Sequence, residues 1–115
     1  MLKRTSIFLL FLFSLFSFLP QTTFAATSVT GHKIIIDAGH GGDDSGSIAC
    51  ANLSEKDVNI QIANDLKSLL VGDFATVYMT RNGDETLSNA DRYNYANGTG
   101  GEVLVSIHLN GSSNT

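Results

Sequence analysis

The sequence has little of three features that whole classes of proteins require. Its 115 residues include a single cysteine, Cys50, so no internal disulfide can stabilise the fold. Only 7 lysine and arginine residues stand against 11 acidic residues. This balance argues against nucleic acid as a partner, because phosphate binding requires clustered positive charge. The longest apolar run, residues 7–19, is shorter than the roughly 20 residues that a membrane-spanning helix needs.

The amino terminus does have the pattern of a secretory signal peptide. Lys3 and Arg4 precede the apolar run, which is followed by Pro20 and by small residues around Ala25. We predict that residues 1–25 are a signal peptide, with a retained membrane anchor as the less favoured alternative. No cysteine lies at the cleavage site, so nothing supports a lipid anchor. We therefore expect a protein that is secreted or held in the cell envelope, without stable membrane insertion once the signal peptide is removed.

The rest of the chain alternates between patterns typical of strands and of helices. After a short polar lead over residues 26–32, the isoleucine-rich run from Lys33 to Asp37 is typical of a parallel strand covered on both faces. Further strands are predicted over residues 74–79 and 102–107, and helices over residues 54–72 and 87–97. The order β-α-β-α-β predicts the fold class α/β, with an open, mostly parallel sheet and flanking helices.

The first predicted helix has a signal at each end and one apolar face. Ser54 and Asp57 have the spacing of a capping box, and Gly72 is a natural stop. A buried stripe is predicted from apolar residues that recur at helical spacing, namely Val58, Ile62, Leu66, Leu69 and Leu70. Glu55, at the first helical position, is in phase with this stripe, so its side chain is predicted to face the sheet.

Three residues are candidates for a functional site. His40 follows the first strand and His108 follows the third, and the carboxyl ends of parallel strands lie on the same edge of a sheet. Glu55 begins the helix that follows the loop carrying His40. Each residue also has a structural explanation, since a histidine after a strand can be a polar turn residue and a glutamate at a helix start can interact with the helix dipole. Together, two imidazoles and a carboxylate are a ligand set of catalytic zinc, with a fourth position left for water.

The loop "GHGGDDSG" fits other ligands less well. It lacks the lysine of a P-loop and the spaced glycines of a dinucleotide-binding loop, and two acidic residues would repel a phosphate. The oxygen-ligand spacing of a calcium-binding loop is also missing. Asp43 and Asp44 are therefore predicted to be solvated turn residues, and Asp37 is predicted to support the loop. His32 precedes the first strand and is expected at the opposite edge of the sheet.

Five blocks follow one another along the sequence: "IIIDAGHGGDDSG", "SEKDVNIQIANDL", "VYMTRNGDETL", "DRYNYAN" and "VLVSIHLNG". In this order and at these separations, they resemble the zinc-dependent N-acetylmuramoyl-L-alanine amidases of the amidase-3 family. The resemblance covers residues 33–115 and implies the amino-terminal part of the catalytic domain. It implies that zinc is bound by His40, Glu55 and His108. It also implies cleavage of the amide between N-acetylmuramic acid and the L-alanine of the stem peptide in peptidoglycan.

The family carries a second glutamate that acts as general base, and no residue of this chain matches it. We expect that glutamate, with the carboxyl-terminal part of the domain, beyond Thr115. We therefore expect the 115-residue chain by itself to release no stem peptide. Two alternatives stay open: an exported, non-catalytic module that binds cell-wall glycopeptide, and an exported structural domain with no site. An exported structural domain with no site would take up no zinc, which separates it from the other hypotheses. A non-catalytic wall-binding module would cleave no amide even when the chain is extended, which separates it from the amidase.

Overall fold

The computed structural model describes residues 28–48 and 53–109. Its elements, in chain order, are β1 (Lys33–Ala38), α1 (Glu55–Gly72), β2 (Thr76–Met79), α2 (Asn89–Thr99) and β3 (Val103–Ile107). The predicted β-α-β-α-β order and the α/β fold class are thus confirmed. Within the described residues, neither helix is long and apolar enough to cross a membrane. The predicted signal peptide and Cys50 lie outside the described residues.

The three strands form one parallel sheet with β1 in the middle. The strand order is β2-β1-β3, and both neighbours run parallel to β1. Ile36 of β1 lies opposite Met79 on one side and Val105 on the other. The isoleucines of β1 are buried, and Ile36 is completely inaccessible. The continuous apolar run is therefore explained by a central strand that is covered on both faces.

The two helices lie on opposite faces of the sheet. Ile36 and Ala38 pack in the core with Ala63 of α1. Asp37, between them in sequence, is contacted by Arg92 of α2. Because successive residues of a strand point to opposite faces, the two helices must approach β1 from different sides. This arrangement leaves the loops that follow β1 and β3 side by side at the carboxyl edge.

Several element boundaries differ from the sequence prediction by one or two residues, and two of these differences have a clear local cause. The second strand begins at Thr76 because Phe74 belongs to the turn after α1, with a positive φ of 63° and a backbone N–H that donates to the carbonyl of Val71. The second helix begins at Asn89, since Ser88 is its N-cap and forms a full capping box with Asp91. A turn sets the first of these boundaries and a helix cap sets the second. The apolar pattern used for the prediction is the same with or without the turn or the cap, so it could not locate them.

The predicted buried stripe of α1 is confirmed only in part. Leu66 and Leu70 pack against the core and Glu55 is buried, as predicted. The buried residues of the helix are Glu55, Asn59 and Ala63, whereas Ile62 is 40% exposed and Leu69 is 70% exposed.

The predicted capping box at the start of α1 is incorrect, because the Ser54 side chain accepts no backbone N–H. The Ser54 hydroxyl instead hydrogen-bonds to the carboxylate of Asp57.

Candidate metal centre

Three side chains converge at the carboxyl edge of the sheet, and they are the three predicted ligands. His40 Nε2 lies 3.2 Å from Glu55 Oε1, and His108 Nδ1 lies 3.3 Å from the same oxygen. The two histidine nitrogens are 3.2 Å apart. The imidazole rings meet edge to face, with an interplanar angle of 81°. Two nitrogens and one oxygen are thus directed at a common point.

The Glu55 carboxylate is fixed by two backbone donors. The N–H of Ser47 donates to Oε2 at 3.0 Å, and the N–H of Leu109 donates to Oε1 at 2.7 Å. Burial alone raises the pKa of Glu55, but these two hydrogen bonds and the nearby charge of His40 outweigh it and lower the pKa to about 2. The side chain is only 5% exposed. A buried carboxylate is therefore kept ionised where cations would be attracted.

His40 is held by its backbone as well as by its ring. Its φ of 61° lies in the left-handed region, which costs a non-glycine residue about 1–3 kcal/mol. Its carbonyl accepts a hydrogen bond from Arg92 Nη2 at 2.7 Å. Its ring Nδ1 lies 2.8 Å from Asp44 Oδ2. These contacts hold His40 in its strained backbone conformation.

Asp37 supports this loop, as predicted, and does not enter the cluster. Its carboxylate accepts hydrogen bonds from Thr80, Arg92 and Ser106. Burial raises the pKa of Asp37, but those three hydrogen bonds and the Arg92 charge outweigh it, so the pKa lies below its usual range. Because Arg92 also donates to the His40 carbonyl, Asp37 is linked to the site through the guanidinium.

A second arginine, Arg81, also holds the loop that follows β1, and the sequence prediction missed it. Arg81 is 2% exposed, and its guanidinium donates to the carbonyls of Ala38, Gly39 and Lys56. The residue follows β2 and carries no apolar signal that would mark it as buried. Its role depends on the backbone path of the loop that follows β1, and the periodicity of apolar residues does not reveal that path.

Two glycines allow the ligands to come together. A Cβ added at Gly39 would overlap the His108 ring. A Cβ added at Gly46 would lie 2.6 Å from His40 Cδ2 and 2.8 Å from Glu55 Cβ, closer than real side chains approach. Gly46 also has a φ of 62°, which favours glycine. The glycines of the loop therefore provide the space that the three ligands occupy.

The two acidic residues of the loop differ, which the sequence prediction did not foresee. Asp43 is an exposed turn residue whose carboxylate comes within 3.5 Å of the Thr86 hydroxyl. Asp44 was also expected to be a solvated turn residue, but its carboxylate contacts the His40 ring and accepts the N–H of Gly46. The His40 contact, followed by the Gly46 hydrogen bond, holds the pKa of Asp44 below its usual range.

His32 lies away from the cluster, as predicted. Its Nδ1 is 2.6 Å from Glu102 Oε2, and both side chains are about half exposed. Both residues precede strands, so the pair marks the amino-terminal edge of the sheet. The third histidine of the chain is therefore separated from the candidate site by the length of β1.

The cluster could hold a metal ion such as zinc. One ligand atom from each of His40, Glu55 and His108 lies within 4.8 Å of the others. Imidazole nitrogens and a carboxylate oxygen bind zinc at about 2.0–2.2 Å, so ligands of one ion are separated by little more than 3 Å, as these are. A metal-binding histidine usually donates its other ring N–H to a carboxylate, a backbone carbonyl or water, and Asp44 is such a partner for His40.

Fold and site together define an α/β domain with a histidine–glutamate–histidine cluster at the carboxyl edge of a parallel sheet. The family model for N-acetylmuramoyl-L-alanine amidase, amidase-3, matches residues 34–115. The chain therefore belongs to this family, as the five sequence blocks indicated.

Individual relatives agree with this assignment. The N-acetylmuramoyl-L-alanine amidase CwlM of Bacillus licheniformis is 39% identical over 85 residues, which are 72% of this chain and 33% of that protein. The sporulation-specific N-acetylmuramoyl-L-alanine amidase of Bacillus subtilis is 38% identical over the same shares. The crystal structure of an N-acetylmuramoyl-L-alanine amidase from Clostridium difficile superposes with a TM-score of 0.70 at 40% identity, covering 75% of this chain and 47% of that one. The chain thus spans about a third of the curated relatives' length.

Proposed function

We propose that this chain provides the zinc-binding part of an exported peptidoglycan amidase, which cleaves the bond between N-acetylmuramic acid and the L-alanine of the stem peptide. The observation that carries the proposal is the convergence of His40 Nε2, Glu55 Oε1 and His108 Nδ1 within hydrogen-bond distance of one another. Family membership supplies the substrate class, and the ligand set supplies the choice of metal.

The residues have separable tasks in this proposal. His40, Glu55 and His108 would hold the zinc ion, which would supply activation of water near neutral pH and polarisation of the amide carbonyl. Glu55 supplies a negative charge that compensates the cation, and its two backbone donors fix the direction of Oε1. The side chains of His108 and His40 are 44% and 21% exposed, so both proposed ligands are accessible.

The proton carrier is proposed to lie in the part of the family domain that this chain does not span. Hydrolysis of an amide needs a group that takes a proton from water and delivers it to the leaving amine. Glu55 is engaged by two backbone N–H groups, and Asp44 is engaged by His40 and Gly46. Neither carboxylate is free for that task, which is consistent with a separate glutamate as the general base.

Export is part of the proposal because the substrate lies outside the cytoplasmic membrane. The basic start, the apolar run over residues 7–19 and the small residues near Ala25 support it. Zinc-binding imidazole and carboxylate ligands need no reducing compartment, so the site is compatible with an extracytoplasmic location.

The metal assignment is tested by zinc uptake. We expect the purified chain to bind one zinc ion and the variants His40→Ala and His108→Ala to lose that ion, measured by elemental analysis after gel filtration. His32→Ala is the matched control, since His32 lies at the opposite edge of the sheet, and it should keep full zinc content. One-to-one zinc in either ligand variant would contradict the assignment.

The activity is tested on an extended protein. Residues 28–115 would be joined to the remaining part of the domain from the Clostridium difficile relative, and purified peptidoglycan would be the substrate. We expect release of stem peptides by this chimera and none by its Glu55→Gln variant. A chimera that binds both zinc and peptidoglycan but cleaves no amide would instead favour the non-catalytic wall-binding module.

A further inference from the structure

We propose that Asp44 is a positioning residue for the metal centre: it accepts the Nδ1–H of His40 and so fixes the tautomer that presents Nε2 to the ion. The inference rests on the proposed zinc site and adds to it a residue that is not one of the three proposed ligands. The sequence alone marks Asp44 only as one of two adjacent acidic turn residues. The structure separates the two, because only the Asp44 carboxylate reaches the His40 ring.

The turn that carries Asp44 holds its carboxylate in place. The backbones of Gly41 and Asp44 exchange two hydrogen bonds, with the Gly41 N–H donating at 2.9 Å and the Asp44 N–H donating at 3.1 Å. Asp44 Oδ1 accepts the N–H of Gly46 at 3.0 Å. These three contacts fix both the backbone and one carboxylate oxygen, and they leave Oδ2 directed at His40 Nδ1 at 2.8 Å.

The distances around His40 select one tautomer. A neutral imidazole has one N–H, and the hydrogen bond made by one nitrogen decides whether the other is free to bind a metal. Nδ1 is 2.8 Å from Asp44 Oδ2, whereas Nε2 is 3.2 Å from Glu55 Oε1. That Glu55 oxygen already accepts the Leu109 N–H at 2.7 Å. The proton therefore belongs on Nδ1, and the lone pair of Nε2 faces the cluster.

If Asp44 served only the stability of the fold, its substitution would lower stability rather than zinc affinity. The Asp44 side chain is 65% exposed, so water replaces it readily as a partner for neighbouring groups. Its removal should leave the folded state nearly as stable as before. The loss should appear instead in zinc affinity, because without Asp44 the proton can move to Nε2, beside Glu55, where it competes directly with the metal.

The first experiment compares Asp44→Ala, Asp44→Asn and the matched control Asp43→Ala in the full chain. Zinc affinity is measured by competition with a chromophoric chelator, and the thermal unfolding of each metal-free protein is measured in parallel. We expect Asp44→Ala to lose roughly 10- to 100-fold in zinc affinity, as is typical when such a partner is removed. Asp44→Asn keeps an acceptor oxygen and should recover part of the loss, and Asp43→Ala should match the wild type.

The second experiment reads the tautomer directly by ¹⁵N NMR of the metal-free proteins, at a pH where imidazole is neutral. We expect the Nδ1–H form of His40 in the wild type and in Asp43→Ala, and a shift toward Nε2–H in Asp44→Ala. Unchanged zinc affinity in Asp44→Ala, or an Nε2–H tautomer in the wild type, would overturn the proposal. A wild type with the Nδ1–H tautomer but no zinc uptake would support the role of Asp44 on the ring and contradict the proposed zinc site.

Discussion

At the scale of single residues, Asp37 connects the centre of the sheet with the loop that carries His40. Its side chain is 11% exposed, that of Arg92 is 12% exposed, and the two form a 2.8 Å ion pair. Removing one member of a buried pair leaves the other charge uncompensated. We expect Asp37→Asn to lower the free energy of unfolding by about 3–5 kcal/mol in urea denaturation. Asp65→Asn, the same charge change at an exposed helix position, should change it by less than about 0.5 kcal/mol.

The same residue predicts a dependence on pH. The pKa of Asp37 in the folded protein lies below its ordinary value of 3.8, so the ionised form is favoured by folding. Its contribution to stability is therefore complete above that ordinary value and is lost as the pH falls through the lower folded-state pKa. The difference in unfolding free energy between wild type and Asp37→Asn should be constant near neutral pH and shrink in acid. A difference that grows in acid would contradict this account.

Residue types and their order were enough to predict His40, Glu55 and His108 as the cluster, because a parallel sheet brings the ends of separate strands to one edge. The same information did not distinguish Asp43 from Asp44. Which of the two reaches the histidine depends on a four-residue turn with positive φ values at His40, Gly41 and Gly42. Single-residue roles in such a loop follow from its backbone path, which side-chain chemistry alone does not determine.

At the scale of elements, helix α1 shows what decides which face is buried. Ala63 is fully buried against Ile36 in the core, whereas Leu69, predicted to be buried, is 70% exposed. We expect Leu69→Ala to change the free energy of unfolding by less than about 0.5 kcal/mol. Ala63→Leu should lower it by about 1–3 kcal/mol, since a larger side chain has no space between helix and sheet. Thermal or urea unfolding of both variants checks the assignment, and a large effect at Leu69 would contradict it.

The apolar pattern correctly predicted that Leu66 and Leu70 face the core, but it did not identify the buried residues in the first turns of α1, because two of them are polar. Asn59 is completely buried and donates from Nδ2 to the carbonyl of Gly39 at 3.2 Å. Glu55 is buried because its carboxylate accepts the backbone N–H groups of Ser47 and Leu109 at the candidate site. The contacts of Glu55 and Asn59 together orient the first turns of the helix. Element order and type followed from the apolar pattern, whereas the rotation of this helix is dictated by contacts with the loop after β1.

At the scale of the whole molecule, the proposed zinc ion would tie three separate connections together. His40 lies in the loop after β1, Glu55 is the first residue of α1, and His108 directly follows β3. A ligand that binds only the folded state stabilises it, by about 2.7 kcal/mol when its free concentration is 100 times Kd. We expect zinc to raise the Tm of the wild type and of His32→Ala, and a chelator to reverse the rise. Glu55→Gln should show no rise, and an equal rise in that variant would exclude this cluster as the binding site.

The positions of the ligands along the chain also determine when the site can form during folding. His108 meets His40 across 68 residues of sequence and Glu55 across 53. Contacts between such distant segments form only after the intervening chain has closed on itself, and parallel pairing of this kind is slow. The site is therefore completed only when β3 has joined β1. Zinc should accordingly slow unfolding while leaving the folding rate nearly unchanged, so that it lengthens the lifetime of the folded domain rather than starting its assembly.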